Sequence, residues 1–297
     1  MTIQKVAVIG TGTLGTQIAI QAARFGSAVS AYDVDKESFS RSQQHLTSLI
    51  KATGGKRLPS LEQWEKAAQQ IRHCDELADA LADADLVIEA VIEDLSVKRT
   101  VFQRIDALAP EKAIVATNSS SIPISRIESA TRRPDRCVNM HFYFPALGTN
   151  MVDVMGGTKT TVEVMELCKS WVRSIGCVPL TVKKESFGFC FNRVWRAVKH
   201  EVLHMWAEGY VDFRDIDRAW MIFTGMKQGP FGIMDKAGLD VIYDIEMLYY
   251  DESKDPQDHP PARLSEMVEK KELGVKTGKG FYCYPDPEYG RSDFLEG

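Results

Sequence analysis

Lys5–Ile9 is a β-branched apolar run, and residues 14–25 then carry apolar side chains at helical spacing before Gly26 offers a stop. That stretch reads as strand, tight turn and helix. AVSAYDVD at 28–35 reads as a second strand, and a polar helical stretch to about Lys51 completes a βαβ unit. GGKRLPS at 54–60 breaks the pattern. A helix beginning at Leu61 and a short IRHC run lead to DELADALADAD, whose carboxylates crowd 75–85 and are expected to form a solvated helix face. LVIEAV (86–91), AIVATN (113–118), CVNMHFY (137–143) and CVPLTV (177–182) read as further strands, with a helix over 94–108. Alternating elements of this kind predict an α/β fold built on a mostly parallel sheet with helices on both faces. From about Phe187 the spacing is helical almost to Lys270, so a domain boundary is expected near 184, giving 1–184 as the sheet domain and 185–297 as an all-α domain. No internal repeat or low-complexity segment interrupts either half.

Composition narrows the function classes. The net charge is −5, and no Lys/Arg block is dense enough for a nucleic-acid footprint. The chain opens on MTIQKVAVIG without signal-peptide architecture and has no apolar stretch of membrane-spanning length, so no membrane partner and a cytoplasmic location are expected. Six cysteines without any CxxC suit reduced, structural thiols.

The first chemical motif is GTGTLG, with Gly10, Gly12 and Gly15 in GxGxxG spacing and Thr13 and Leu14 opening the helix. Following a strand and starting a helix, it has the context that pyrophosphate binding requires: a tight turn at Gly10, close backbone approach at Gly12, close packing at Gly15 and helix N–H groups aimed at the phosphates. Asp33, eighteen residues after Gly15, ends the second strand, where a carboxylate accepts hydrogen bonds from ribose hydroxyls and repels a 2′-phosphate. NAD is therefore favoured over NADP.

A second motif competes. His200-Glu201-Val202-Leu203-His204 spells HExxH, the pattern of a zinc hydrolase. A third ligand is wanting, since MWAEGYVDFRD offers only acidic residues such as Glu208 and Asp212, and the expectation is no metal.

The stretch HFYFPALGTNMVDV places His141 and Asp153 on two strand-like runs either side of a turn-like segment at 145–150. A hydride-transferring enzyme that oxidises a secondary alcohol needs a base for the hydroxyl proton, and an imidazole held by a carboxylate supplies one. The plain alternative is a satisfied structural histidine. The polar cluster Asn118-Ser119-Ser120-Ser121 at the carboxyl end of a strand favours a site.

Taken together, VAVIGTGTLG, ADLVIEAVIEDLSVKRTVFQRID, ATNSSSIPI, the HFYFP run, FGFCFNR, GPFGIMDKAGLD and KTGKGFYCY resemble the short-chain L-3-hydroxyacyl-CoA dehydrogenases, including the 3-hydroxybutyryl-CoA dehydrogenases. The resemblance covers essentially the whole chain. It implies an NAD-binding Rossmann domain followed by a helical domain used for homodimerisation. It also implies His141 as catalytic base, Asp153 at the place of the orienting glutamate, and Ser120 and Asn192 as holders of the substrate oxygen. Glu93 and Lys98, with Asn118, are implied on the cofactor side. Lys51 and Lys56 are candidate contacts for a CoA phosphate. Two departures stand out: the family usually reads HFFNP and VEV, whereas this chain has Phe144 for the asparagine and Asp153 for the glutamate. Phe144 suggests a bulkier lining and a short or unusual acyl group. The expected activity is interconversion of an L-3-hydroxyacyl-CoA and its 3-ketoacyl form. The alternatives are a catalytically weak NAD-binding protein and a dehydrogenase of a non-CoA hydroxy substrate.

Overall fold

The computed structural model describes residues 2–53, 59–143 and 149–297. Phe144 and Lys56, expected near the substrate, lie outside the described residues, as does the side chain of Lys51. The chain divides into two compact units, Met1–Cys190 and Phe191–Gly297.

The first unit is an eight-stranded sheet: β1 (Lys5–Ile9), β2 (Ala28–Tyr32), β3 (Arg72–His73), β4 (Leu86–Glu89), β5 (Ile114–Thr117), β6 (Cys137–Phe142), β7 (Met151–Gly156) and β8 (Val178–Val182). Their order is β3-β2-β1-β4-β5-β6-β7-β8. The fold is α/β and Rossmann-type, with every neighbouring pair parallel except β6 and β7, which run antiparallel. The alternation of each central strand shows why both faces are apolar. Val6 and Val8 enter one core with Leu86 and Ile88, whereas Ala7 and Ile9 enter the other with Val87. Helices α1 (Thr13–Arg24), α2 (Ser38–Thr53), α3 (Leu61–Gln69) and α6 (Val162–Ser174) supply the first core with Ile18, Phe39, Trp64 and Trp171. Helices α4 (Leu77–Leu81) and α5 (Leu95–Leu108) supply the second with Leu81 and Phe102. Successive strands step one way from β1 and then the other way from β4, so a topological switch point lies between β1 and β4, the place where such sheets bind ligands beyond their carboxyl ends.

Two details differ from the pattern in the sequence. Strand β2 stops at Tyr32 because the Asp33 carboxylate turns back to accept the Thr11 N–H at 2.6 Å. The acidic stretch at 75–85 is solvated as expected, but Asp85 also accepts the Gln4 and Lys5 N–H groups, both at 2.9 Å, and so fastens the start of β1.

The second unit is helical: α7 (Phe191–Ala207), α8 (Phe213–Thr224), α9 (Pro230–Ala237), α10 (Leu239–Ser253) and α11 (Ala262–Glu269). Its core gathers Leu203, Trp206, Phe231, Met234 and Phe281. Two buried aspartates tie the elements together. Asp217 on α8 accepts the N–H groups of Phe231 and Gly232 at the start of α9, at 2.8 and 2.9 Å, together with the Tyr282 hydroxyl at 3.0 Å. Asp235 on α9 in turn accepts the N–H groups of Phe281 and Tyr282, both at 2.9 Å.

Burial pushes the Asp217 carboxyl up from 3.8 to about 6, against the pull of its three donors. A folded carboxyl that holds its proton more tightly than the unfolded one stabilises most below its unfolded pKa. Its contribution then declines as pH rises through about 6, by roughly 3 kcal/mol at neutral pH. Asp217→Asn has no such proton. The stability gap between native protein and this variant, from urea denaturation, is therefore expected to be larger near pH 4 than near pH 7. A gap that stays constant across that range contradicts the assignment.

Candidate functional site

The loop after β1 occupies the switch point. Gly10 has φ +95°, and a Cβ there would stand 2.6 Å from the Ala90 carbonyl oxygen; a Cβ on Gly15 would stand 1.9 Å from the Gly10 carbonyl oxygen. Both positions therefore admit only glycine. Gly12 is different, since a Cβ on it would meet nothing within 4 Å, and as the residue before α1 it offers no side-chain cap. The first N–H groups of α1, where Thr13 and Leu14 sit, are thus left for an anionic ligand. A cavity of about 420 Å³ opens here, lined by Gly10, Gly12, Asp33, Val34, Ala90 and Ile92 among others. Asp33 is aimed by the Thr11 N–H and hydroxyl on one oxygen and by the Asp35 N–H at 3.0 Å on the other, with acceptor capacity left over for a ribose. This glycine cradle, the uncapped helix start and the acidic wall fit a dinucleotide without a 2′-phosphate.

The next segment along the carboxyl edge is held by buried charge. Lys98 is 1% exposed and its ammonium reaches Glu89 at 2.8 Å and Glu93 at 3.3 Å. Glu89, which is fully buried, also accepts the Thr117 hydroxyl and the Val91 N–H, both at 2.7 Å. One oxygen of Glu93 gathers the Ser119 hydroxyl at 2.5 Å, the Ser121 hydroxyl at 2.8 Å and the N–H groups of Ser120 and Ser121 at 3.1 and 3.0 Å. Burial opposes ionisation, but Lys98 and these serine donors outweigh it and hold the Glu93 carboxyl below the usual glutamate range. Glu93 and Lys98, expected on the cofactor side, also support the serine loop from beneath. Ser120 is exposed on top of that loop. Asn118 faces the neighbouring strand, its side-chain oxygen accepting the Phe142 N–H at 2.9 Å.

The structure brings His141 and Asp153 together. They stand directly opposite one another in the antiparallel pair β6·β7, and His141 Nδ1 lies 3.3 Å from Asp153 Oδ2. Both are buried, at 5% and 0% exposure. A carboxylate only accepts, so this contact places the proton on Nδ1 and leaves Nε2 as the free base. Register also puts the serine loop nearby: Thr117 pairs with Asn139, so residues 118–121 and His141 leave the sheet at the same edge. Two residues absent from the sequence-based site join them. Tyr143 donates its hydroxyl to the same Asp153 oxygen at 2.5 Å, and its ring meets the imidazole edge-on with centroids 4.6 Å apart. Phe189, at φ +52°, is buried and lays its ring 5.3 Å from the imidazole. The signal for Tyr143 was present in the chain: two residues beyond His141 on one strand, it shares that residue's face. Asn192 is the second residue of α7 in the helical unit.

On α7, His200 and His204 place their rings 4.5 Å apart, and His204 Nδ1 stands 3.9 Å from Glu208. Among the described residues no three His, Cys, Asp or Glu side chains gather closely enough to hold a metal ion. Nor is any described helix long and apolar enough to cross a membrane.

The family model for the 3-hydroxyacyl-CoA dehydrogenase NAD-binding domain matches residues 5–186, and the model for the C-terminal domain of the same enzymes matches residues 188–284. The chain belongs to the 3-hydroxyacyl-CoA dehydrogenase family. It is an NAD-dependent oxidoreductase. It is 34% identical to a 3-hydroxybutyryl-CoA dehydrogenase of Clostridioides difficile over 94% of this chain and 99% of that protein. It is 33% identical to a 5-formyl-3-hydroxy-2-methylpyridine 4-carboxylate 5-dehydrogenase of Mesorhizobium japonicum over 95% of this chain and 91% of that protein. Among solved structures, a diketoreductase superposes with a TM-score of 0.84 at 36% identity, over 96% of this chain and all of that one.

The buried cation gives a direct test. Lys98→Met leaves the Glu89 charge without its partner, which costs about 3–5 kcal/mol. Urea denaturation should show a loss of that size; a loss under about 1 kcal/mol contradicts the network. Glu93→Gln leaves Lys98 its bond to Glu89 but loosens the serine loop, and steady-state kinetics should show kcat lower by about tenfold or more.

Proposed function

We propose that this dehydrogenase interconverts an L-3-hydroxyacyl thioester and its 3-ketoacyl form, with a short acyl chain. The observation that carries the proposal is the His141–Asp153 contact across β6 and β7 at the edge where the sheet opens to ligands. NAD, when bound, accepts or returns the hydride. The protein's part is proton transfer and positioning. His141 Nε2 takes the hydroxyl proton in the oxidising direction and returns it to the carbonyl oxygen in the reducing one. Asp153 holds Nδ1–H and steadies the imidazolium once it forms. Ser120 and Asn192 are assigned to the reacting oxygen and its thioester neighbour, where donors aimed at developing charge contribute most. Gly10, Gly12, Gly15 and Asp33 hold the dinucleotide. The exposed apolar residues Ile222, Phe223 and Met226 at the end of α8 support association of the helical unit as a homodimer.

A second reading is favoured by the relatives named for a pyridine carboxylate and for diketones: the hydroxy or carbonyl substrate carries no CoA. For a hydroxy or keto substrate the same dyad serves with or without CoA, because the hydride leaves the carbinol carbon and the proton leaves its oxygen, away from the rest of the molecule.

The test follows NADH absorbance with acetoacetyl-CoA and, in parallel, with a free diketone. Turnover of the thioester with the higher kcat/KM supports the first reading, and preference for the free diketone the second. In both, His141→Ala is expected to lower kcat by about 10³-fold while NADH binding, read by fluorescence, is kept. Undiminished turnover in that variant overturns the catalytic assignment.

A further inference from the structure

Asp153 is an unusual carboxylate. It is fully buried, its Oδ1 has no hydrogen-bond partner among the described residues, and its Oδ2 receives two donors of unequal quality: the Tyr143 hydroxyl at 2.5 Å and His141 Nδ1 at 3.3 Å. A buried carboxylate held only by one long contact to an imidazole carries most of its desolvation cost uncompensated. A charge-assisted O–H···O⁻ bond of 2.5–2.7 Å is about twice as strong as a neutral one. The tyrosine bond is therefore the shorter and stronger hold on this carboxylate.

Geometry also suits Tyr143 to this task. It is buried, its ring lies edge-on to the imidazole at 4.6 Å, and it directly follows β6, two residues beyond His141, with its hydroxyl on the Asp153 carboxylate. Asp153 is also one methylene shorter than the glutamate that the resemblance places there.

We infer that Tyr143 is a positioning residue for the dehydrogenase reaction, anchoring the shortened carboxylate of Asp153 so that it fixes the His141 tautomer. The inference rests on the reading of His141 as base. Tyr143 touches neither the substrate nor the cofactor in this scheme; it acts through Asp153. Removing its hydroxyl leaves, among the described residues, only the long His141 contact to hold the carboxylate, which is then free to swing. The imidazole is left free to adopt the wrong tautomer, a loss expressed in kcat rather than in binding. A glutamate at 153 reaches one methylene further and holds His141 without help.

The experiment measures kcat and KM for NADH-dependent reduction of acetoacetyl-CoA in native protein, Tyr143→Phe, Asp153→Glu, the double variant and His141→Ala. Tyr143→Phe is expected to lower kcat by about tenfold or more, the size typical of partners that orient a reacting group, with both KM values within about twofold of native. In the Asp153→Glu background the same substitution should change kcat by less than about twofold. An undiminished Tyr143→Phe, or an equal loss in both backgrounds, overturns the inference. Full activity in His141→Ala sinks the catalytic reading instead, whereas an inactive His141→Ala beside an undiminished Tyr143→Phe sinks the inference alone. A readout independent of any substrate is the Tyr143 hydroxyl proton. A bond this short moves it far downfield in the NMR spectrum, and the signal should vanish in both Tyr143→Phe and Asp153→Asn. If native protein lacks that signal, the anchoring bond does not exist.

Discussion

His141 meets Asp153 because one antiparallel strand pair is set into an otherwise parallel sheet. In a parallel pair the two residues, twelve apart in sequence, would need a crossover between them to become neighbours. Reversal after β6 brings β7 straight back, and the register puts 141 opposite 153. The remainder of the first unit is arranged around that edge. The parallel strands to one side end in the glycine loop and the serine loop, and the switch in strand order between β1 and β4 opens the cavity where the dinucleotide fits.

Burying carboxylates is the device that recurs. Glu89, Asp153, Asp217 and Asp235 are all fully buried, and each is met by donors from other elements. Each unmet charge would cost several kcal/mol, so each one enforces the placement of the strands, helices or turns that supply its partners. In the first unit the enforced features are the serine loop and the placement of His141. In the helical unit they are the start of α9 and the strap at 281–284.

What was legible in the sequence was local. The βαβ unit, its glycines and Asp33 lie within a few dozen residues, and their spacing reports the turn, the helix start and the acidic strand end directly. Strands of the buried sheet showed as short apolar runs because both faces are covered. Helix α6 went unassigned: its apolar stripe of Val164, Cys168, Trp171 and Val172 is narrow and its remaining face is polar. Tyr143 was overlooked for a different reason. Its alternation with His141 was visible, but whether a hydroxyl reaches a carboxylate on the next strand depends on register and side-chain length together, and neither can be read from one strand. Lys98 was expected, with Glu93, on the cofactor side, and only the packing of α5 under the serine loop shows it 1% exposed between two glutamates.

The central claim is that Asp153 holds His141 as the Nδ1–H tautomer with Nε2 free to move the substrate's proton. Nitrogen-15 NMR of protein labelled in its histidines reads that state directly. The account predicts a His141 signal pair with the proton on Nδ1 in native protein, and loss of that single tautomer in Asp153→Asn. A native spectrum with the proton on Nε2 would contradict it, because the nitrogen assigned to proton transfer would then already be occupied.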